Sequence, residues 1–286
     1  MKEENISFQN KVRSHLGEYK EKHLLISKKG IYRGKEYSHI LPQELYRLNI
    51  LEMFRKEFWE YFDNLHDENK IKRHKCFHHL NSSQALTFNL FFPFLRDKRK
   101  KLLFRILDLH RDLKTTMCFE KILSKEEGTN FDFFIEFSSG QKVFFEVKYS
   151  ENSFGKAKEN ERHTRKYSEI YRKKLYKKVN NQFIENRKCF FEHYQILRNI
   201  SYLSDKVDNP NEKTFLYFIY PKANESLLVY KDIILNTILL PSYKENVHIL
   251  FIEDMIEELD YLVEPSDCEL KSFIRCFKEK YLFYLK

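Results

Sequence analysis

Two short apolar runs, residues 131–137 and 143–149, flank the segment Ser138-Ser-Gly-Gln-Lys142. Runs of this length, rich in Phe and β-branched residues and separated by a Gly, read as a β-hairpin. Side chains alternate across a strand, so Asp132, Phe134 and Glu136 share one face, as do Phe144, Glu146 and Lys148 on the return strand. With the turn centred on Gly140, Asp132 is expected opposite Lys148 and diagonal to Glu146. Charges among so many aromatics are costly unless paired or bound to metal. Carboxylates from neighbouring strands offer the hard oxygens that Mg²⁺ prefers. A neighbouring Lys can hold a water or stabilise charge developing on a phosphate.

The motif Glu-x-Lys alone carries little, because it occurs at Glu18, Glu68, Glu146 and Glu269. Only the Glu146 copy lies in an apolar strand with an Asp on the strand before it. The bland alternative is an ion pair on a solvated sheet face. The surrounding aromatics and the basic segment downstream weigh against that.

The 286 residues carry a net charge of +9, and residues 156–188 hold twelve Lys and Arg against four Glu. An AT-rich coding bias would raise Lys throughout, whereas here the excess is concentrated. Lys156, Lys158, Arg162, Arg165, Lys166, Arg172, Lys173 and Lys174, followed by Lys177 and Lys178, are candidate phosphate contacts. Tyr167, Tyr171 and Tyr176 are interleaved as candidate stacking or hydrogen-bonding groups. A solvated helix face is the ordinary reading of such a run. Five scattered Cys without a C-x-x-C pair disfavour a disulfide framework or zinc ribbon. Neither glycine-rich nucleotide-binding fingerprint nor a G-x-S-x-G elbow is present. Without a signal core or an 18-residue apolar run, the expectation is a soluble cytoplasmic protein with no membrane partner.

A helical period runs from Leu41 to Leu65, with Pro42 in its first turn. A charged connector follows at 63–75. The segment 81–95 reads as a buried helix capped by Asn81 or Ser82. After a short apolar stretch at 117–123 come the hairpin, a basic helical region at 164–204, and strands at 214–220 and 247–253. This gives an α/β fold, with residues 1–75 as a helical N-terminal extension and 76–286 as the main domain, the two forming one continuous domain or nearly so.

Asp132, thirteen intervening residues, then Glu146-Val147-Lys148 resembles the signature of the PD-(D/E)xK nuclease superfamily. Glu127-Gly-Thr-Asn-Phe-Asp132, Glu146-Val-Lys-Tyr-Ser-Glu-Asn-Ser-Phe-Gly155, Ser82-Ser-Gln-Ala-Leu-Thr-Phe-Asn89 and Tyr194-Gln-Ile-Leu-Arg198 are similar to a bacterial restriction-endonuclease-like branch of it, over residues 76–260. The resemblance implies a mixed central sheet flanked by helices and metal-dependent hydrolysis of phosphodiesters in double-stranded DNA. Mg²⁺ would be the cofactor, with Mn²⁺ able to substitute. Asp132 and Glu146 would ligate it, and Lys148 would orient or activate water. Many members carry a further acid on the helix before the hairpin, and the 82–95 helix has none. Gln84 or Asn89 could serve there, or Glu120 as a third ligand, although Glu120 is more simply a surface acid. Glu151 and Gln195 are further candidates for support.

A type II-like restriction or defence enzyme is the leading expectation, and cutting both strands often requires a homodimer. The alternatives are a non-catalytic nucleic-acid-binding protein on the same fold, or a repair or RNA-directed nuclease. The cluster His74-Lys-Cys76-Phe-His78-His79, with His66 and Cys118 as helpers, is a weaker zinc candidate that lacks a second ligand pair.

Overall fold

Helix α1 (Phe8–His23) is followed by a small antiparallel ribbon, β1 (Gly30–Tyr32) and β2 (Lys35–Tyr37), in a computed structural model that describes residues 6–65, 70–109, 114–124, 126–205 and 213–285. Next come α2 (Glu52–Asp63), α3 (Ser83–Phe91) and α4 (Asp97–Ile106). Strands β3 (Thr115–Ile122), β4 (Asn130–Phe137) and β5 (Lys142–Val147) are consecutive. The basic region forms α5 (Glu161–Lys166), which widens to a π-helical turn at Tyr167–Tyr171 and runs on into α6 (Arg172–Leu175). Short helices α7 (Gln182–Glu185), α8 (Arg187–Glu192) and α9 (Tyr194–Ile200) lead to β6 (Thr214–Tyr220). Then come α10 (Glu225–Asp232), β7 (Val247–Phe251), α11 (Ile252–Leu262) and α12 (Cys268–Tyr281).

The chain divides into two interleaved units, not at residue 75. One comprises residues 1–113, 221–224 and 251–286; the other comprises 114–220 and 225–250. The expected helical extension is therefore only part of a unit that the C-terminal helices complete. The reason is burial, since the N-terminal helices need partners for their apolar faces. Phe54 of α2 meets Phe273 of α12 with ring centroids 5.8 Å apart. Buried Lys280 of α12 donates to the backbone oxygen and Oδ1 of Asn49 at 2.6 and 2.8 Å. Asn49 in turn donates to the carbonyls of Phe77 and His79. That knot breaks the expected 41–65 helix into a 3₁₀ segment, Gln43–Asn49, and α2, with extended backbone at Ile50. The cap at Ser82 is as expected, its Oγ accepting the Ala85 N–H at 3.3 Å, but α3 ends at Phe91 before Pro93.

The second unit is built on a five-stranded mixed sheet of order β3-β4-β5-β6-β7 with helices on it. β3, β4 and β5 pair antiparallel, while β5 and β6 pair parallel. A parallel pair needs a long crossover, and the basic helices α5 to α9 supply it. The aromatic content serves this sheet: Phe133–Phe145, Phe134–Phe144 and Phe145–Tyr217 contact across strands at 5.6, 5.3 and 5.2 Å. Each fully buried Phe contributes about 1.5–3 kcal/mol. The 117–123 stretch becomes the edge strand β3. No helix among the described residues is long and apolar enough to cross a membrane.

Candidate active site

The hairpin register runs Glu136↔Lys142, Ile135↔Val143, Phe134↔Phe144 and Phe133↔Phe145. Continued by one step, it places Asp132 across from Glu146, and not across from Lys148 as the sequence suggested. The turn explains the difference. The Phe137 N–H donates to the Gln141 carbonyl at 2.9 Å, leaving a three-residue loop, 138–140, in which Gly140 takes φ 94°. This loop centres the hairpin on Ser139, and a one-residue move of the centre shifts every partner by two. An even shift keeps the face, so the two acids still meet.

Glu146 is deeply buried, its side chain 2% exposed, and three donors hold it. Lys148 Nζ lies 2.8 Å from Oε1. Gln195 Nε2 donates to the same oxygen at 2.6 Å, and Asn199 Nδ2 donates to Oε2 at 2.8 Å. Gln195 and Asn199 are four residues apart on α9, so one helix face presents both amides. Gln195 is itself fixed, because its Oε1 accepts the Gly155 N–H at 2.9 Å. Sequence reading proposed Gln195 and missed Asn199. The available signal was an i, i+4 pair of amides among Ile196, Leu197 and Ile200, which are buried.

Asp132 Oδ2 accepts the Val147 N–H at 2.7 Å, so this side chain stands in for a ladder partner where the strands part. Burial pushes its carboxyl well above the ordinary range. The negative charges of Glu146 and Glu120 push the same way, against Lys148 and the Val147 N–H. Burial works to lower Lys148, but Glu146, Glu151 and Asp132 outweigh it and hold the ammonium above its usual value. Glu151 accepts the Tyr149 N–H at 2.7 Å and acts on the site through its charge.

Glu120 falls on β3 between the pairs Phe119↔Phe133 and Lys121↔Phe131, level with Asp132, with left-handed backbone at φ 54°. Its Oε2 accepts from Asn130 Nδ2. Among the described residues no group of three or more His, Cys, Asp or Glu is placed to hold a metal ion. Glu120 is engaged with Asn130, and Asp132 and Glu146 are the candidate donor pair. That pair fits a hard divalent cation, which takes one or two carboxylates and keeps several waters. A carboxylate has about four acceptor positions; the three donors on Glu146 leave one. Gln84 and Asn89 belong to the other unit and are engaged there. Gln84 bonds the backbone of Lys72 and His74, and Asn89 bonds Leu51, Asn49 and Tyr281. Their short polar side chains serve the helix connections.

The basic candidates divide by burial. Lys156, Lys158, Arg162, Arg165, Arg172 and Lys173 are exposed. Lys166 is buried and donates to the Glu127 carbonyl, and Lys174 pairs with Glu127 Oε1. Lys178 is likewise buried on the Leu203 carbonyl. Tyr167 and Tyr171 are core residues, and only Tyr176 of the three is exposed, at 62%. Helical spacing turned those side chains inward. Among the described residues the His74–His79 segment belongs to no group of three or more metal-type side chains: His74 Nδ1 accepts the Cys76 N–H at 3.2 Å, and His78 packs edge-on to His79. His66 lies outside the described residues, and Cys118 belongs to the other unit.

A family model described as "Restriction Endonuclease associating with ARP" matches residues 13–282. No curated protein and no solved structure matches the chain.

Proposed function

The chain belongs to that restriction-endonuclease family, and from this premise we propose that it is a Mg²⁺-dependent endonuclease that hydrolyses phosphodiester bonds in double-stranded DNA, as a type II-like restriction or defence enzyme. The observation that carries the proposal is the meeting of two acids and a lysine at the end of the hairpin: Asp132 Oδ2 accepts the N–H of Val147, next to Glu146, and the Lys148 ammonium lies 2.8 Å from Glu146. Asp132 and Glu146 are the residues that would hold Mg²⁺, or Mn²⁺ in its place. A divalent ion bound there supplies Lewis-acid stabilisation of charge on the phosphate oxygens. Lys148, as an ammonium, donates to the attacking water or to a phosphate oxygen and orients it in line. Gln195 and Asn199 keep Glu146 aimed. The exposed basic residues of α5 and α6 supply sequence-independent attraction to the duplex. Cutting of both strands is assigned to a homodimer.

Supercoiled plasmid incubated with Mg²⁺, Mn²⁺ or EDTA tests this. Nicking or linearisation is expected with either metal and not with EDTA, and Glu146→Gln is expected to abolish it. Salt-sensitive DNA binding with no cutting under any metal would instead identify a binding protein on a nuclease fold.

A further inference from the structure

We propose that Arg198, with Lys166 and Arg162 beside it, forms a subsite for a phosphate of the bound strand next to the one that is cut. This rests on the nuclease reading above. Arg198 lies on α9 between Gln195 and Asn199, whose amides grip Glu146. It is half-buried, its guanidinium is 5.8 Å from the Tyr194 ring centroid, and its buried Nε has no hydrogen-bond partner. It forms no ion pair with any described residue, whereas Arg165 and Arg187 are each paired with an acid, Glu169 and Glu159.

Lys166, Arg162 and Arg198 lie close enough that both arginines, after burial itself, lower the proton affinity of the lysine. The acid among them, Glu127, gives Oε1 to Lys174 and has no hydrogen-bond partner at Oε2. Lys174 answers the charge of Glu127, so Arg162 and Arg198 beside the buried Lys166 leave a net positive charge in partly desolvated surroundings, where repulsion is strong. An anion relieves it. A phosphate suits the planar guanidinium best, because it accepts parallel N–H donors. The helix whose amides hold the Glu146 carboxylate thus also holds a cation for the backbone of the substrate, which ties strand position to the site.

The test is the binding of a labelled short DNA duplex, in EDTA so that nothing is cut, across about 50 to 200 mM salt. Arg198→Ala is expected to bind about tenfold more weakly. The slope of log affinity against log salt is expected to become shallower by about 0.9, the value of one phosphate contact. Arg198→Lys should recover the slope, and Arg187→Ala should leave it near wild type because Glu159 already neutralises that side chain. Thermal melting of each variant separates lost contact from lost fold. If wild-type protein binds and cuts while Arg198→Ala keeps its slope, the subsite is overturned and the nuclease reading stands. A wild-type protein that neither binds nor cuts duplex DNA overturns both.

Discussion

Asn199 donates Nδ2 to Glu146 Oε2 at 2.8 Å across 53 residues of sequence. The bond joins the crossover helix α9 to the sheet strand that carries the candidate metal ligand. It is charge-assisted and buried, and the acid it serves is only 2% exposed. Asn199→Leu is expected to lower unfolding free energy by about 1–3 kcal/mol in urea titrations. Under the proposed activity it should slow cleavage more than it weakens DNA binding, since Asn199 acts by positioning Glu146. Equal losses in both would contradict that role.

Asp132 carries a cost in the metal-free protein. Its carboxyl holds its proton more tightly folded than unfolded, because of burial, Glu146 and Glu120. Stability is therefore highest at low pH for this group and is lost as pH rises from the ordinary Asp range through the raised folded value. Asp132→Asn should then melt higher than wild type at neutral pH in EDTA, with the gain vanishing in acid. A lower melting temperature at neutral pH would show that Asp132 stabilises the apo fold.

Burial holds His39 and His79 at about 4, helped by Arg13 and His79 for the first and by His78 and His74 for the second. These values lie below the unfolded one, so the unfolded chain binds more protons as pH falls below about 6.5. Stability should fall between roughly pH 6.5 and 4, by a few kcal/mol in total at one pKa unit per about 1.4 kcal/mol. His39→Gln should flatten the profile measured by urea unfolding at successive pH values. An unchanged profile would show that His39 is solvated.

Lys166 and Lys173 read alike in the sequence and differ in the fold. Lys166 is buried on the Glu127 carbonyl, whereas Lys173 is exposed. Lys166→Ala is expected to cost about 1–3 kcal/mol of stability. Lys173→Ala should stay within about 0.5 kcal/mol while weakening DNA binding at every sequence. Swapped outcomes would refute the assignment of Lys173 to the solvated face.

The hairpin, its acids and its lysine were legible because strand alternation and a glycine turn are local properties. The register was off by two, because Gly140 sits at the last position of a three-residue loop and not at its centre. Glu146's amide clamp was half legible, with Gln195 noticed but not Asn199, since pairing between a strand and a helix beyond it leaves no period in the sequence. Tyr167, Tyr171 and Lys178 looked like a binding surface because charge density says nothing of which helix face turns inward. The unit boundary was illegible because α11 and α12 return to the N-terminal helices through long-range packing.

Single-turnover cleavage of a duplex by wild type, Asp132→Asn and Lys148→Met, with saturating Mg²⁺ and with DNA binding measured in parallel, tests the central claim most directly. The account expects both variants to bind DNA but cut at least about 100-fold more slowly, the scale set by losing a group that acts at the reacting phosphate. Mg²⁺-dependent cutting by both variants at the wild-type rate would place the chemistry elsewhere.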